Sequence, residues 1–427
     1  MRNARLAIFM NCLRQLSFSG AVFGVFFMMD KGFSVADFAI FQSVVRLSQA
    51  VLEIPSGIFA DRFGRRFSVQ LSRILVFVAI GIIAFGATMP AMILAALLDG
   101  IANALFSDSD TSLVYDSLKK EGKTGYYPKF IATYNAMGLG VFGAASVLGA
   151  FLAAGGMPIQ WLLIARLPIF LIHFWVARKF IDKALPNKAP KVNQTLRHLK
   201  ASWTEVISSK SIMKVIYFNT IIHAMNLIMW VFYQPYGMAI NMSLEIFGLV
   251  ALVFAVAEGF PQFVVYRYTR TRKFSKLYIG LIMATGVLGL GAALLQNHVG
   301  FVLLIVSVFV TGISYPFTAA IIHKYARTKY RTTIASFCTL FGMVGFSVAG
   351  LVFGEIAGRL DVFWGFGMIS GAALIGGIIY ILFHWGRPWL YKRGKLLRLQ
   401  AAEDQEREDD EDSQHKKSHR QWWGGRW

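Results

Sequence analysis

The sequence has few of the residues that build catalytic centres or disulfide-bonded folds. Its 427 residues include two cysteines, Cys12 and Cys338, and both lie inside apolar runs. A disulfide framework and a cysteine metal site are therefore not expected. The sequence also lacks a phosphate-cradling glycine loop, metal-ligand spacing, and a serine or cysteine nucleophile motif. We predict a protein that is not an enzyme and that carries no cofactor or metal.

Charge is also scarce, and acidic charge is the scarcer kind. Charged residues make up 15% of the chain, with 23 acidic and 43 basic residues and a net charge of +20. The basic residues recur in short blocks between apolar runs and never form one patch, so a nucleic-acid partner is not expected. No polar stretch is long enough to form a nucleotide-binding domain, which argues against an ATP-driven pump.

Apolar residues are abundant, at 56% of the chain, and the mean hydropathy is +0.53. About 20 apolar residues in a helix cross the ~30 Å hydrocarbon core of a membrane. Twelve runs reach that length, and we therefore predict an all-α membrane protein with twelve transmembrane helices. The runs lie near residues 6–29, 36–60, 67–89, 91–117, 128–154, 158–180, 212–237, 244–266, 275–296, 299–323, 332–357 and 362–385.

The connections between these runs alternate between basic and uncharged segments. The alternate connections near 88–90, 155–160, 240–243 and 296–300 contain no lysine or arginine, and only Lys31 and Arg359 lie near the other two. By the positive-inside rule, the basic connections and both termini are expected to be cytoplasmic.

The longest connection divides the chain into two halves. We predict an N-terminal six-helix bundle over 1–181, a cytoplasmic linker over 182–211 and a C-terminal six-helix bundle over 212–386. Within the linker, residues 195–208 fit either a helix on the membrane surface or a solvated segment. The cytoplasmic tail over 387–427 contains an acidic block that repels itself, so we expect it to be disordered.

One stretch combines small residues, one acid and three arginines at the basic end of the second predicted helix. It reads EIPSGIFADRFGRR over 53–66, and Pro55 and Gly57 are expected to relax the helix and allow close approach of a neighbour. The stretch resembles the signature loop of the major facilitator superfamily, and VYDSL at 114–118 resembles a bacterial branch with mostly unassigned substrates. The residues assigned to this loop and its conformational gating are Glu53, Pro55, Gly57, Asp61, Arg62, Gly64, Arg65 and Arg66.

This resemblance implies a fold, a location and a mechanism. The fold would have two pseudo-symmetric six-helix bundles in a bacterial inner membrane, with the substrate route between them and helices 1, 4, 7 and 10 around it. The second half departs from the signature, because Arg267 stands where the counterpart of Asp61 is expected. Lipid is an expected partner, and a monomer is the expected state.

Polar residues inside the predicted helices recur at steps of three and four, which places each set on one helical face. Polar groups are costly in lipid, so these faces should be wet or packed against protein. We predict that Arg14, Asp99 and Asn103 supply polar recognition of a substrate. The predicted cavity set is Arg14, Asp99, Asn103, Asp110, His223, Asn226, Trp230 and Tyr233.

Structural alternatives stay open for several of these residues. Internal ion pairing is the alternative for Arg14, Asp99 and Asp110, and hydrogen-bonded packing is the alternative for His223. Arg46 and Glu258 are candidate coupling residues, with a structural role as the alternative.

The functional hypothesis is a secondary active transporter of a small organic solute that works by alternating access, with export slightly favoured. Charges of both signs in the predicted cavity suit a zwitterion or a cation. Coupling to a proton gradient is an open option. The alternatives are an uptake permease for a polar metabolite and a transporter-like membrane protein that handles lipid or assists assembly.

The alternating loops generate a topology prediction. A reporter fused after Lys188 or Lys273 should be cytoplasmic, and one inserted at Gly156 or Asn297 should be external, because the first two sites lie in basic connections. Protease protection in sealed membranes measures each location. Reversed locations at any two sites would refute the twelve-helix arrangement.

Overall fold

The computed structural model of the chain describes residues 2–107, 109–180, 192–265 and 274–383. Every regular element in these ranges is a helix, and twelve segments are long and apolar enough to cross a membrane. The prediction of twelve transmembrane helices is therefore confirmed. We label them α1 (Arg2–Asp30), α2 (Val35–Ala60), α3 (Arg65–Phe85), α4 (Met89–Lys120), α5 (Thr124–Ala154), α6 (Ile159–Ala177), α7 (Lys210–Ala239), α8 (Leu244–Pro261), α9 (Phe274–Leu295), α10 (His298–Tyr325), α11 (Thr328–Arg359) and α12 (Val362–Ile381).

Part of the predicted linker forms one more helix, Val192–Ser208, which we call the linker helix. Its Trp203 ring packs against the Phe337 and Phe341 rings of α11, with centroid distances of 5.6 and 5.9 Å. The helical alternative for this segment is thus the one observed, and the helix rests on the second half of the molecule. The predicted tail over 387–427 lies outside the described residues.

Four helices are interrupted where the sequence predicted continuous ones; α6 at Ala165 and α10 at Ile313 keep helical backbone angles at the break, whereas α1 and α4 do not. The α-helical part of α1 ends at Gln15, and the segment continues through a 3-10 turn, Gly20–Val22, and a π turn, Phe26–Asp30. In α4, the first helical part ends at Phe106, and Ser107 adopts an extended ψ of 122°. Side chains before and after such a break do not keep the spacing of one continuous helix.

We call the helix ends next to the basic connections the basic end, and the opposite ends the uncharged end. At the basic end, Gly64 joins α2 to α3 with a φ of 97°, which favours glycine. At the uncharged end, Ser34 caps α2 through a reciprocal capping box with Asp37. These devices explain why both connections are only a few residues long.

Small residues bring the two halves into close contact toward the uncharged end. Gly358 of α11 leaves only 3.2 Å between the position of a Cβ atom there and the Ala36 Cβ of α2. Further along the same two helices, the Ser347 Oγ of α11 donates to the Ser43 carbonyl of α2 at 3.1 Å. Because backbones approach this closely only where side chains are small, this end of the molecule is closed.

Candidate functional site

A cavity of about 320 Å³ lies between the two halves. Its walls come from α1 and α2 on one side and from α7, α8 and α10 on the other. A site at the junction of two bundles is where a transporter of this helix count is expected to bind its substrate. The lining residues are Gly20, Phe23, Phe38, Gln42, Arg46, His223, Asn226, Leu227, Trp230, Val231, Gln234, Glu258 and Tyr315.

The wall from the first half carries a positive charge at Arg46. Its Nη1 donates to Gln49 Oε1 at 3.4 Å, while its buried Nε has no hydrogen-bond partner within the described part of the chain. Asp99 of α4 lies behind it and attracts it electrostatically. Arg46 therefore brings a positive charge to the cavity wall.

The wall from the second half carries a carboxyl group at Glu258. Tyr315 donates a hydrogen bond to this carboxyl, and the Tyr315 hydroxyl also lies 3.5 Å from His223 Nδ1. Trp230 lies beside the same carboxyl. The cavity therefore combines a cation from one half with an acid from the other, next to aromatic surface.

The cavity ends toward the uncharged end at Gln234 and Tyr233 of α7. Both side chains are nearly fully buried, at 5% and 2% exposure. The Tyr233 hydroxyl donates to the Ala21 carbonyl of α1 at 3.3 Å, and its ring packs against Phe254 with centroids 5.1 Å apart. Tyr233 therefore contacts α1 beneath the cavity and does not line it.

The structure distributes the predicted site residues between the cavity and the interior of the first half. His223, Asn226 and Trp230 line the cavity, as do both candidate coupling residues. Asn226 Nδ2 donates to Thr311 Oγ1 at 2.7 Å, which fixes the amide against α10. The predicted residues that lie away from this cavity are Arg14, Asp99, Asn103, Asp110 and Tyr233.

Asp110 belongs to a hydrogen-bonded network inside the first half. Its two carboxylate oxygens accept from the Tyr134 hydroxyl at 2.7 Å and from the Thr111 amide at 2.8 Å. Arg14 and Arg73 attract the same carboxylate. These contacts give Asp110 a structural position inside the first half, held by hydrogen bonds, while the two arginines attract it without an ion pair of 4.0 Å or less among the described residues.

Two arginines of this network share one aromatic ring. The guanidinium carbon of Arg73 lies 4.2 Å from the centroid of Phe106, and that of Arg14 lies 5.1 Å from it. Arg14 Nη2 also donates to Asn11 Oδ1 at 3.0 Å. Both charges are thus placed by stacking as well as by hydrogen bonds.

Asp99 forms the link between this network and the cavity wall. It lies among Arg166, Arg46 and Arg73 and is hydrogen-bonded by the Asn103 side chain. Arg46 is the member of the set that reaches the cavity. A change of charge in the cavity can therefore act on α4 and α6 through Asp99.

Sequence reasoning overlooked three residues of these sites. Arg73 is the buried charge of α3, at 2% exposure, while Ile74 and Val78 on the same helix are exposed. Gln234 and Tyr315 line the cavity without belonging to the predicted polar faces. A single charge within an apolar run was the signal available for Arg73.

The signature residues connect α2 and α3 to α4 at the basic end. Ser107 Oγ donates to Glu53 Oε1 at 2.7 Å, and Arg65 pairs with Asp116 of the VYDSL segment at 2.9 Å. Pro55 lies inside helix α2, and within the described residues no atom lies within 4 Å of the position that a Cβ atom would take at Gly57, so the expected close approach of a neighbour is not found there.

The remaining signature residues have simpler positions. The Arg62 guanidinium lies 5.6 Å from the centroid of the Phe63 ring, and Arg66 follows Arg65 in the first turn of α3. The side chain of Asp61 lies outside the described part of the molecule.

Comparisons with known proteins agree with this architecture. The sequence model of the family described as Major Facilitator Superfamily matches residues 6–350. An uncharacterized MFS-type transporter of Bacillus subtilis (strain 168), YxaM, is 20% identical over 378 residues, which covers 84% of this chain and 90% of that protein.

Solved structures share the fold at low identity. The nucleoside transporter NupG superposes with a TM-score of 0.71 at 14% identity, over 91% of this chain and 100% of that one. A POT family transporter in complex with 5-aminolevulinic acid gives 0.68 at 11% identity, over 90% and 96% of the two chains.

The buried network generates a stability prediction. Asp110→Asn should lower the free energy of unfolding by about 3 kcal/mol, because it removes the carboxylate that attracts the buried Arg73 and the half-buried Arg14. Asp116→Asn is the matched control, since its ion pair is half exposed and should be worth below ~1 kcal/mol. Thermal unfolding in detergent measures both variants. Equal midpoints would show that the network does not stabilise the bundle.

Proposed function

The chain belongs to the Major Facilitator Superfamily, and from this premise we propose that it is a secondary active transporter of a small organic solute that binds in the cavity between the two halves. The observation that carries the proposal is that Arg46 and Glu258 line one cavity from opposite halves. A solute that touches both residues would sense the relative position of the halves, as alternating access requires.

The chemistry of the walls supports a substrate class. Arg46 can bind a carboxylate or phosphate of a solute, and Glu258 can bind an amine. Trp230 and Phe38 offer apolar surface beside them. The volume lies at the lower limit of typical ligand pockets, which are roughly 300–1,000 Å³. We therefore propose a compact zwitterionic or amphipathic solute.

The closed uncharged end supports a proposal about the side from which the cavity is reached. Small residues close the uncharged end, whereas Arg14, Asp99 and Asn103 are half-buried at membrane depth between the cavity and the basic end. Water can reach these residues if the basic end is open. With the basic loops on the cytoplasmic side, the molecule would face the cytoplasm.

We propose Glu258 as the residue that couples transport to protons. A carboxyl that is half-buried, hydrogen-bonded by Tyr315 and next to the solute can exchange a proton with the cavity. Export is the proposed direction, and uptake of a polar metabolite is the alternative.

The proposed setting is the bacterial inner membrane, with both termini cytoplasmic. The two predicted bundles, 1–181 and 212–386, would move as rigid units about the cavity. The alternative of a membrane protein that handles lipid predicts stabilisation by lipid and no flux of any soluble solute.

Flux measurements in proteoliposomes test the function. The purified protein is reconstituted, a pH gradient is imposed in either direction, and a panel of labelled zwitterions, cations and anions is followed. Gradient-dependent movement of at least one solute supports the proposal. Lipid-dependent stabilisation without flux of any solute would favour the lipid-handling alternative.

The same assay generates a prediction for Glu258. Glu258→Gln should retain solute exchange but lose acceleration by the pH gradient, because an amide cannot carry the proton. Glu355→Gln is the matched control, since Glu355 is exposed and its described ion pair is with Arg359 on its own helix. An undiminished response to the gradient in Glu258→Gln would assign the coupling to another group.

A further inference from the structure

The side chain of Gln234 crosses from one half of the molecule into the interrupted helix of the other. Its Nε2 donates to the Gly20 carbonyl at 3.2 Å, and its Oε1 accepts from the Gly24 amide at 2.6 Å. Gln234 is 5% exposed, so water does not compete for these bonds. Both polar functions of the carboxamide are used on α1.

The two backbone groups that Gln234 binds are partners in a regular α-helix. There the amide N–H of residue 24 would donate to the carbonyl of residue 20. Residues Gly20–Val22 instead form a 3-10 turn, and the Gln234 carboxamide lies between these two groups. A side chain of the second half therefore completes the hydrogen bonding of a helix in the first half.

The surroundings are shaped for this contact. A Cβ atom at Gly24 would lie 2.9 Å from Gln234 Oε1, so the approach depends on glycine. Gly149 of α5 similarly leaves room for the Phe18 carbonyl, just before the turn. Tyr233 adds a hydrogen bond to the next carbonyl, that of Ala21, at 3.3 Å.

Helix α7 is itself weakened at this level. Pro235 follows Gln234 inside α7 and has no N–H to donate to the Val231 carbonyl. Val231 lines the cavity. The interrupted part of α1 and the proline of α7 therefore face each other at the cavity floor, where both helices can bend.

We propose that the two hydrogen bonds of Gln234 hold the uncharged end closed, so that Gln234 acts as the latch of this end. When the end opens, the Gly24 amide donates instead to the Gly20 carbonyl within α1. The inference rests on the alternating access proposed above and adds the residue that positions the gate. Because the two backbone groups have a partner in both states, opening does not leave either of them unsatisfied. The backbone hydrogen bonding of α1 at Gly20 and Gly24 then changes when the uncharged end opens.

The carboxamide is required because the latch needs one donor and one acceptor. Gln234→Leu removes both hydrogen bonds at similar volume. Gln160→Leu is the matched control, because Gln160 Nε2 also donates to a backbone carbonyl, that of Ala84, at 3.0 Å, but within the first half. It tests the loss of such a bond without touching the gate.

Access to the cavity from the uncharged end reports on the latch. Cys12 and Cys338 are replaced, and one cysteine is placed at Leu227, which lines the cavity. An impermeant maleimide is then added on the uncharged side of sealed vesicles. In a separate variant, the pair Ala36→Cys and Gly358→Cys can be oxidised to lock this end, because a Cβ atom at residue 358 would lie near disulfide distance from the Cβ of residue 36.

We expect Gln234→Leu to increase the labelling rate of the cysteine at position 227 by about tenfold, since two hydrogen bonds of the closed state are lost. Gln160→Leu should match the parent, and oxidation of the locking pair should abolish labelling.

Two results would overturn the inference. If labelling occurs and the lock blocks it, but Gln234→Leu labels no faster than Gln160→Leu, the gate exists and Gln234 is not its latch. If the cysteine at position 227 is not labelled from the uncharged side in any of these variants, the result contradicts both the proposed role of Gln234 and alternating access. The folded state of each variant is checked by elution profile before labelling.

Discussion

Polar groups at membrane depth must find partners inside the protein, and this requirement accounts for the main features of the molecule. The arginines of the first half are held by aspartates and by the Phe106 ring, and the free backbone groups of α1 are bonded by a side chain of α7. Neither set could face lipid without a cost of several kcal/mol. The same requirement restricts solute-accessible polar groups to the junction of the halves.

The two ends of the molecule are held in different ways, and this difference fits a two-state transporter. Near the uncharged end, small residues such as Gly358 bring the halves into backbone contact. At the basic end, the described ion pair Arg65–Asp116 joins helices within the first half, and Arg327–Glu205 joins the second half to the linker helix. Contacts of this kind can persist while the halves separate at the basic end, so the cavity can open there.

The sequence was sufficient to predict the helix count and the family, because length, hydropathy and short motifs report local properties. It also singled out His223, Asn226 and Trp230, which line the candidate cavity. It was not sufficient where local spacing is interrupted. Asp99 and Asp110 were placed on one face of a continuous helix, but the break at Ser107 separates them into different surroundings. The interruption of α1 was also hidden, since the role of Gly24 depends on Gln234, which lies 210 residues away in the chain. Arg73 was overlooked because one charge does not change the mean hydropathy of its run.

The central claim is that the two halves rock about the cavity, and distances between spin labels at both ends test it most directly. One pair of labels at the exposed Met157 and Val299 reports on the uncharged end, and a second pair at the exposed Lys123 and Lys329 reports on the basic end. In lipid nanodiscs, we expect two populations in each pair, with one distance lengthening as the other shortens when pH or solute is changed. The account would be contradicted if each pair of labels showed a single distance that stayed constant at neutral and acidic pH and with every solute of the panel.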